Sequence, residues 1–358
     1  MTLYIKLMEA GDRSAWDEYV QTHPEAVVYH LSGWQTVITK VYGHPTYYLL
    51  ALRETAGAPA HSIAGVLPLV HIKHFLFGNQ LVSMPFFDAG GILADHAEVE
   101  QALLDKAVRL GEFLKADRIE LRQTQPLSSA TGCAPLTLRT HRHKVRMELK
   151  LPAPHEDLME SFKSKLRNQI KKPMKEGLYA EVGGFELLDD FYHIFLVHMR
   201  DLGSPVHSRG LIRHTLEEFP DRAKIMVVYK KKRPIAAGLI LGFKNILENP
   251  WSSALRKYKM SSPNMLLYWI MLHYAHGQGF SFFNFGRSSP GEGTYKFKEQ
   301  WGAQPAPLYW IDISFNDKGI EESLTQKDQF QKAIACWKKL PVPVTKILGP
   351  MIRKHIGL

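Results

Sequence analysis

The sequence predicts an α/β (α+β) fold in two similar units. The order strand, strand, helix, strand occurs twice, around Tyr47 to Arg122 and again around Lys224 to Phe285. Runs rich in Val, Ile, Leu and aromatic residues alternate with stretches of helical periodicity. At 358 residues, the chain is long enough for about two domains.

Composition narrows the class. A hydrophobic share of 45% and a charged share of 22% are those of a soluble globular protein, and a sizeable core follows from the length. The formal net charge of +10 and a pI near 9.3 suggest an anionic partner: nucleic acid, a phosphorylated substrate or an acidic membrane. Cys133 and Cys336 lie far apart and neither has metal-ligand spacing, so neither a disulfide scaffold nor a metal site is expected. The start soon meets Glu9, Asp12 and Arg13, unlike a secretory signal. No apolar run is long enough to span a bilayer. The expected location is a reducing cytoplasm.

In the first half, Asp12 to Val20 reads as a helix and Val27 to Leu31 as a strand. Ser32 is placed to cap a helix carrying Trp34, Val37, Ile38 and Val41. Tyr47 to Arg53 and Ile63 to His71 read as strands. Pro85 to Gly91 is an irregular stretch suited to line a cleft. Glu98 to Lys115 is a helix with Leu103, Ala107, Leu110 and Leu114 on one face, and Asp117 to Arg122 and Arg146 to Leu151 are strands. His141 and His143 lack a third ligand at a known spacing, so metal is not expected there.

Pro152 and Pro154 mark a boundary, giving domains 1–151 and 152–311. The next helix is expected from about Glu156 to Lys172, with Met159, Phe162, Leu166 and Ile170 as its apolar stripe. Its other faces carry Lys163, Lys165, Arg167, Lys171 and Lys172, and no acid occurs from Ser161 to Lys175. A solvated basic face would interleave acids for i,i+4 pairs, so an anion site is favoured. Glu186 to Asp201, Leu211 to Phe219 and Asn264 to Gln278 are helices, and Lys224 to Tyr229, Pro234 to Phe243 and Trp251 to Leu255 are strands. His207, in the loop between two helices, is a candidate general base because an ordinary histidine titrates near neutral pH. Leu308 to Ile313 is a last strand. From Phe330 to Leu358 apolar residues interleave with lysines and arginines, and no acid follows Asp328. Such a tail is able to lie on an anionic membrane.

The most distinctive stretch runs from Phe280 to Gly302. Ser281 to Phe285 is a short aromatic strand, Gly286 to Gly293 an ordered loop, and Thr294 to Trp301 resumes periodicity with Phe297 and Trp301 on one face. Lys296 and Lys298 therefore stand just past a strand end, where rigid scaffolds often place working residues.

The run Phe285-Gly-Arg-Ser-Ser-Pro-Gly-Glu-Gly-Thr-Tyr-Lys-Phe-Lys-Glu-Gln-Trp-Gly-Ala303 resembles the C-terminal signature of FemAB-like proteins, a branch of the GNAT N-acyltransferase superfamily. The subgroup it resembles most accompanies exosortase (PEP-CTERM) exopolysaccharide systems. Further pieces fit the resemblance: Trp34, Lys40 and Tyr42-Gly-His44; the basic Arg167-Asn-Gln-Ile-Lys-Lys172 helix; and Leu202-Gly-Ser-Pro-Val206. It implies tandem GNAT-like domains with mixed sheets and a cleft between them, with residues 312–358 returning to the first domain. By motif position it implies phosphate contacts for Lys40 and Arg167; Arg287 and Ser288, as local donors, and Tyr258 and Tyr295 are further substrate-binding candidates. Lys298 becomes the catalytic cation, with Lys296 as local alternative.

The chain has no Gly-x-Ser-x-Gly elbow, Walker loop, His-Glu-x-x-His helix or dinucleotide fingerprint. A non-covalent acyl transfer fits better, in which a positioned cation meets the charge developing on a carbonyl oxygen. The CoA-binding turn of GNAT enzymes is glycine-rich; here Arg256 to Asn264 lacks those glycines, which counts against acyl-CoA and leaves aminoacyl-tRNA, so the expected donor is aminoacyl-tRNA or acyl-CoA, with no tightly bound cofactor. The expected acceptor is a phosphorylated or lipid-linked saccharide or peptide of the cell envelope, met at the inner face of the membrane. A non-catalytic nucleic-acid binder or membrane scaffold is the competing expectation; aromatic stacking residues are missing from the basic helix.

Overall fold

The computed structural model describes residues 3–54, 62–128, 137–315 and 324–357; Cys133 lies outside them. Contacts divide the chain into two compact units. The first comprises Met1–Lys144, Pro307–Glu321 and His355–Leu358; the second comprises Val145–Ala306 and Glu322–Lys354.

The first unit holds β1 (Leu3–Leu7), α1 (Arg13–Thr22), α2 (Gly33–Tyr42), β2 (Thr46–Arg53), β3 (Ser62–His74), β4 (Gly78–Val82), β5 (Leu93–Ala94), α3 (Ala97–Phe113), β6 (Arg118–Gln123) and β7 (Thr137–His141). Its sheet runs β1-β2-β3-β4-β6, then the late strand Tyr309–Ser314, then β7, with β5 beside β3. β4 and β6 pair in parallel; their helical crossover is α3, whose Leu103, Leu104 and Ala107 are buried with Leu49, Leu67 and Ile119.

The expected strand at Val27–Leu31 is instead a 3-10 turn at Val28–His30. The Trp34 indole donates to the Val28 carbonyl and the Trp16 indole to that of His30, so two acceptors a ladder would need are taken. A second irregular segment follows β4, where Met84 and Phe86 hold φ of 49° and 77°. Arg122, wholly enclosed, stabilises it. Its guanidinium pairs with Glu120 and donates to the carbonyls of Met84 and Phe87, and to that of Gly357 near the chain end.

The second unit holds β8 (Val145–Lys150), α4 (Ser164–Lys175), β9 (Leu178–Gly183), α5 (Leu188–Leu202), α6 (Arg209–Glu218), β10 (Ala223–Lys230), β11 (Arg233–Phe243), β12 (Ile246–Ala254), α7 (Pro263–Gly277), β13 (Phe282–Ser288), α8 (Gly293–Glu299) and β14 (Gln304–Pro307). Its sheet order is β14-β8-β13-β12-β11-β10-β9. Beyond β14 come β15 (Tyr309–Ser314), which belongs to the first sheet, and the terminal helices α9 (Leu324–Lys339) and α10 (Val342–Arg353).

Three expectations shift. The unit boundary falls at Lys144/Val145, ahead of the proline pair, because β8 pairs with β13 and not with the first sheet. Only part of 312–358 joins the first unit: α9 and α10 belong to the second, where Gly203 meets Ile334 and Gly349 meets Val206. The basic helix starts at Ser164, not near Glu156, because the Asp157 carboxylate draws the Met159 and Glu160 amides into a turn.

Candidate active site

β12 and β13 are parallel neighbours that pair only from Ile246 to Glu248 against Phe282 to Asn284. Beyond these residues the two strands make no further ladder pairs. On its other side β13 breaks register with β8 between Asn284 and Arg287. Gly286 makes that irregularity. Its φ is +75°, a region other residues enter at a cost, and its amide donates to the Asn284 side chain at 2.9 Å. The diverging strand ends carry buried polar atoms without a partner among the described residues: Asn249 Oδ1 and Ser253 Oγ on β12, and Ser288 Oγ on β13. Buried polar atoms are nearly always satisfied, so these three stand out.

Lys298 comes to this place from the next helix. Phe297 packs 5.2 Å from the Tyr268 ring and Trp301 5.6 Å from Phe162, which seats α8 on the core. That turns Lys298 inward to 7% exposure. Its ammonium donates to the carbonyls of Gly286 at 2.9 Å and Arg287 at 2.8 Å. Lys296, two residues earlier, is exposed on a different face of α8, so the helix brings one lysine to the strand end and not both.

The field here is positive. Arg287 stands directly opposite Arg146, and like charges so placed repel unless an anion lies between or beside them. Glu148 supplies one, 3.1 Å from Arg146. Arg146 Nε stays buried without a partner among the described residues. Nearby, a cavity of about 340 Å³ is lined by Phe162, Lys163, Lys165, Gln169, Gln300 and Trp301, joining the start of the basic helix to the end of α8. Arg167 lies half-exposed one turn along α4.

The start of α7 gathers more cations. Pro263 opens the helix, and no acid occupies its first turn. Lys230 donates to Ser261 Oγ at 2.6 Å and Lys172 to the Met260 carbonyl at 3.2 Å. Lys257 lies over the ring of Tyr258, 5.1 Å away. Glu176, 3.9 Å from Lys172 and 3.8 Å from Lys230, balances part of this charge, and the excess at a helix N-terminus favours an anionic group.

The other expected site residues are placed as follows. Tyr295 and Tyr258 are half-buried against the core of the second unit. Lys40 belongs to the first unit, exposed in the last turn of α2. His207 does not fit the role of general base. It is buried, its Nε2 accepts from Arg353 Nε at 3.0 Å, and its own carbonyl accepts from Tyr192. Burial, with the arginine charge second, holds its pKa well below the usual histidine range. It is a neutral structural acceptor. Arg146 facing Arg287 escapes sequence reasoning because the two meet only through strand register. Among the described residues no cluster of metal-binding side chains occurs.

The first unit has its own polar cavity of about 300 Å³ at the start of α3, lined by His23, Glu25, Asp95, Glu100 and Gln123 among others. Asp95, Glu98 and Glu100 put negative charge at that helix start, opposite in sign to the lysines around α7.

Residues 160–299, inside the second unit, match the family described as acetyltransferase (GNAT) domain. Comparison with curated proteins finds no match. Among solved structures, FemX superposes with a TM-score of 0.65 at 13% identity, covering 92% of this chain and 100% of that one. The C-terminal domain of a putative lysylphosphatidylglycerol synthetase from Agrobacterium fabrum gives 0.56 at 12% identity, with 98% of each chain covered. A tandem GNAT protein from the clavulanic acid biosynthesis pathway gives 0.53 at 10% identity, covering 87% of this chain and 98% of that one. Within the second unit, residues 160–299 are thus similar to a GNAT acetyltransferase domain, and the chain shares the fold of FemX and of the tandem GNAT protein.

Proposed function

We propose that the protein is a non-covalent N-acyltransferase, moving an aminoacyl or acyl group from aminoacyl-tRNA or acyl-CoA to an amine on a phosphorylated or lipid-linked sugar or peptide of the cell envelope, exopolysaccharide included. The observation that carries this reading is the buried Lys298 ammonium held on the Gly286 and Arg287 carbonyls of β13, past the residues at which β12 and β13 pair.

In the reaction the acceptor amine attacks the acyl carbonyl carbon and forms the N–C bond. The carbonyl electron pair moves to oxygen and then returns, expelling the ester oxygen or the thiolate. The amine proton leaves to that group or to solvent. Positive charge from Lys298, with Arg287 and Arg146 nearby, meets the transient oxyanion, and a preorganised cation in a dry site is worth several kcal/mol. The lysines around the start of α7 suit the donor's phosphate, which tRNA and CoA share. Arg167, with Lys163 and Lys165 at the neighbouring cavity, suits the acceptor's phosphate, because a guanidinium holds phosphate oxygens in pairs. The name of the lysylphosphatidylglycerol synthetase relative joins an aminoacyl group to a phosphorylated lipid, which is the same class of transfer.

Incubation of the full chain with labelled aminoacyl-tRNA or acetyl-CoA and a panel of UDP-amino sugars and lipid-linked amines tests the reading by mass spectrometry. N-acylated product from one donor is expected, together with thermal stabilisation by that donor. No product and no stabilisation from either donor would reject it.

A further inference from the structure

Helix α10 is inverted. The residues it turns to the protein are Thr345, Gly349 and Arg353. Those it turns to water are Val344, Ile347, Leu348 and Met351, with Ile347 66% and Met351 60% exposed. Spaced three, four and seven apart, these four form one apolar stripe. A water-facing stripe of this kind on an ordinary surface helix would be polar.

Charge surrounds the stripe. Exposed Lys338 and Lys339 end α9 just ahead of α10, Lys346 lies within it and Lys354 directly follows it. No acid occurs after Asp328, so the segment has no negative charge to discourage an anionic surface.

The first unit shows a second such feature by itself. The β3–β4 hairpin ends in Phe75, Leu76 and Phe77, which are 88%, 70% and 42% exposed, next to exposed Lys73. Hairpin tips normally carry Gly, Asn or Asp. Three adjoining apolar side chains there gain nothing in water, but they gain from leaving it for a lipid interface.

We infer that the apolar stripe of α10 and the Phe75–Phe77 hairpin tip are membrane-contact elements for an anionic phospholipid surface. Twelve residues of helix reach roughly 18 Å, short of the roughly 30 Å hydrocarbon core, so α10 lies in the interface and does not cross it. The lysines meet lipid phosphates while the stripe enters the acyl boundary. This inference is independent of the acyl-transfer reading.

Co-sedimentation of the full chain tests it, with vesicles of phosphatidylglycerol in phosphatidylcholine against phosphatidylcholine alone. Binding to the anionic vesicles is expected, weakening as salt rises. The doubles Ile347→Glu/Met351→Glu and Phe75→Ser/Leu76→Ser should each lower the vesicle affinity about tenfold or more, since each removes two buried-in-lipid side chains. All four positions are exposed, so melting temperatures should hold; if one double fails to fold, the other carries the test. Failure of the native chain to bind anionic vesicles would overturn the inference, as would unchanged binding by a folded double. So would size-exclusion chromatography showing a dimer that Ile347→Glu/Met351→Glu dissociates, with no vesicle binding, since the stripe would then face a second copy of this chain.

Discussion

Arg353, the last residue of α10, donates from Nε to Nε2 of His207 at 3.0 Å, and both side chains are buried. The acceptor nitrogen must carry its lone pair, so the ring is neutral with its proton on Nδ1. Burial first, and the guanidinium charge second, push the histidine pKa well down. In the unfolded chain it titrates near about 6.5. Above that pH neither state protonates this ring. Below it the unfolded chain takes a proton that the native chain refuses, so the stability contributed here falls as pH drops from about 6.5 toward the native value. Urea melts at pH 7.5, 6.5 and 5.5 should show this loss, at most about 1.4 kcal/mol per pH unit from one group. Replacing His207 with Gln keeps an acceptor and removes the titration, so its slope should be shallower. Equal slopes in the two proteins would sink the assignment.

The same helix depends on a glycine. A Cβ on Gly349 would stand 2.9 Å from Val206 Cγ1 and 3.1 Å from the Val206 amide nitrogen. The side-chain contact can rotate away, but the backbone contact cannot. Gly349→Ala should therefore push α10 off the loop that holds His207 and cost about 1–3 kcal/mol, the usual range for overpacking. The gain in helix propensity is smaller, about 1 kcal/mol. Denaturation midpoints with an unchanged slope would check this; a stabilised variant would show that α10 does not approach so closely.

Much of the fold was legible because periodicity is local. β10, β11, α7 and β13 follow from apolar runs and their breaks. Val28–His30 was not legible, since an apolar run reads alike as strand or turn until Trp16 and Trp34 claim its carbonyls. The allegiance of β8 was hidden for another reason: strand pairing is non-local, and nothing in Val145–Lys150 names β13 as partner. In the candidate site, Gly286 and the two lysines of α8 stand out in the sequence. Which lysine turns inward is decided by the aromatic anchors Phe297 and Trp301, and the pairing of Arg287 with Arg146 is decided by register. The burial of His207 depends on a residue far along the chain and leaves no local sign.

Arg167 offers a test of how an acceptor is held. It lies half-exposed on a helix whose buried face is Leu166, Ile170 and Pro173. Its removal should not disturb the core. If its guanidinium holds acceptor phosphate, Arg167→Met should raise KM for a phosphorylated acceptor about tenfold, leave kcat within about twofold and flatten the salt dependence of KM. A fall in kcat at unchanged KM would place the residue elsewhere in the reaction.

Lys298 is the residue on which structure and chemistry are hardest to separate. Its burial and its two carbonyl bonds mean that Lys298→Met changes folding as well as chemistry. Methionine restores the apolar stem but removes the two hydrogen bonds to the Gly286 and Arg287 carbonyls, at a cost of about 1–3 kcal/mol. The variant should melt earlier, and activity must be compared at a temperature where both proteins are folded. There, a loss of about a hundredfold or more in kcat is expected if the ammonium meets the oxyanion. Lys296→Met, at an exposed position two residues away, should change neither melting nor turnover by much. A folded Lys298→Met that turns over within a few-fold of the native chain would reduce the lysine to a strut for the end of β13.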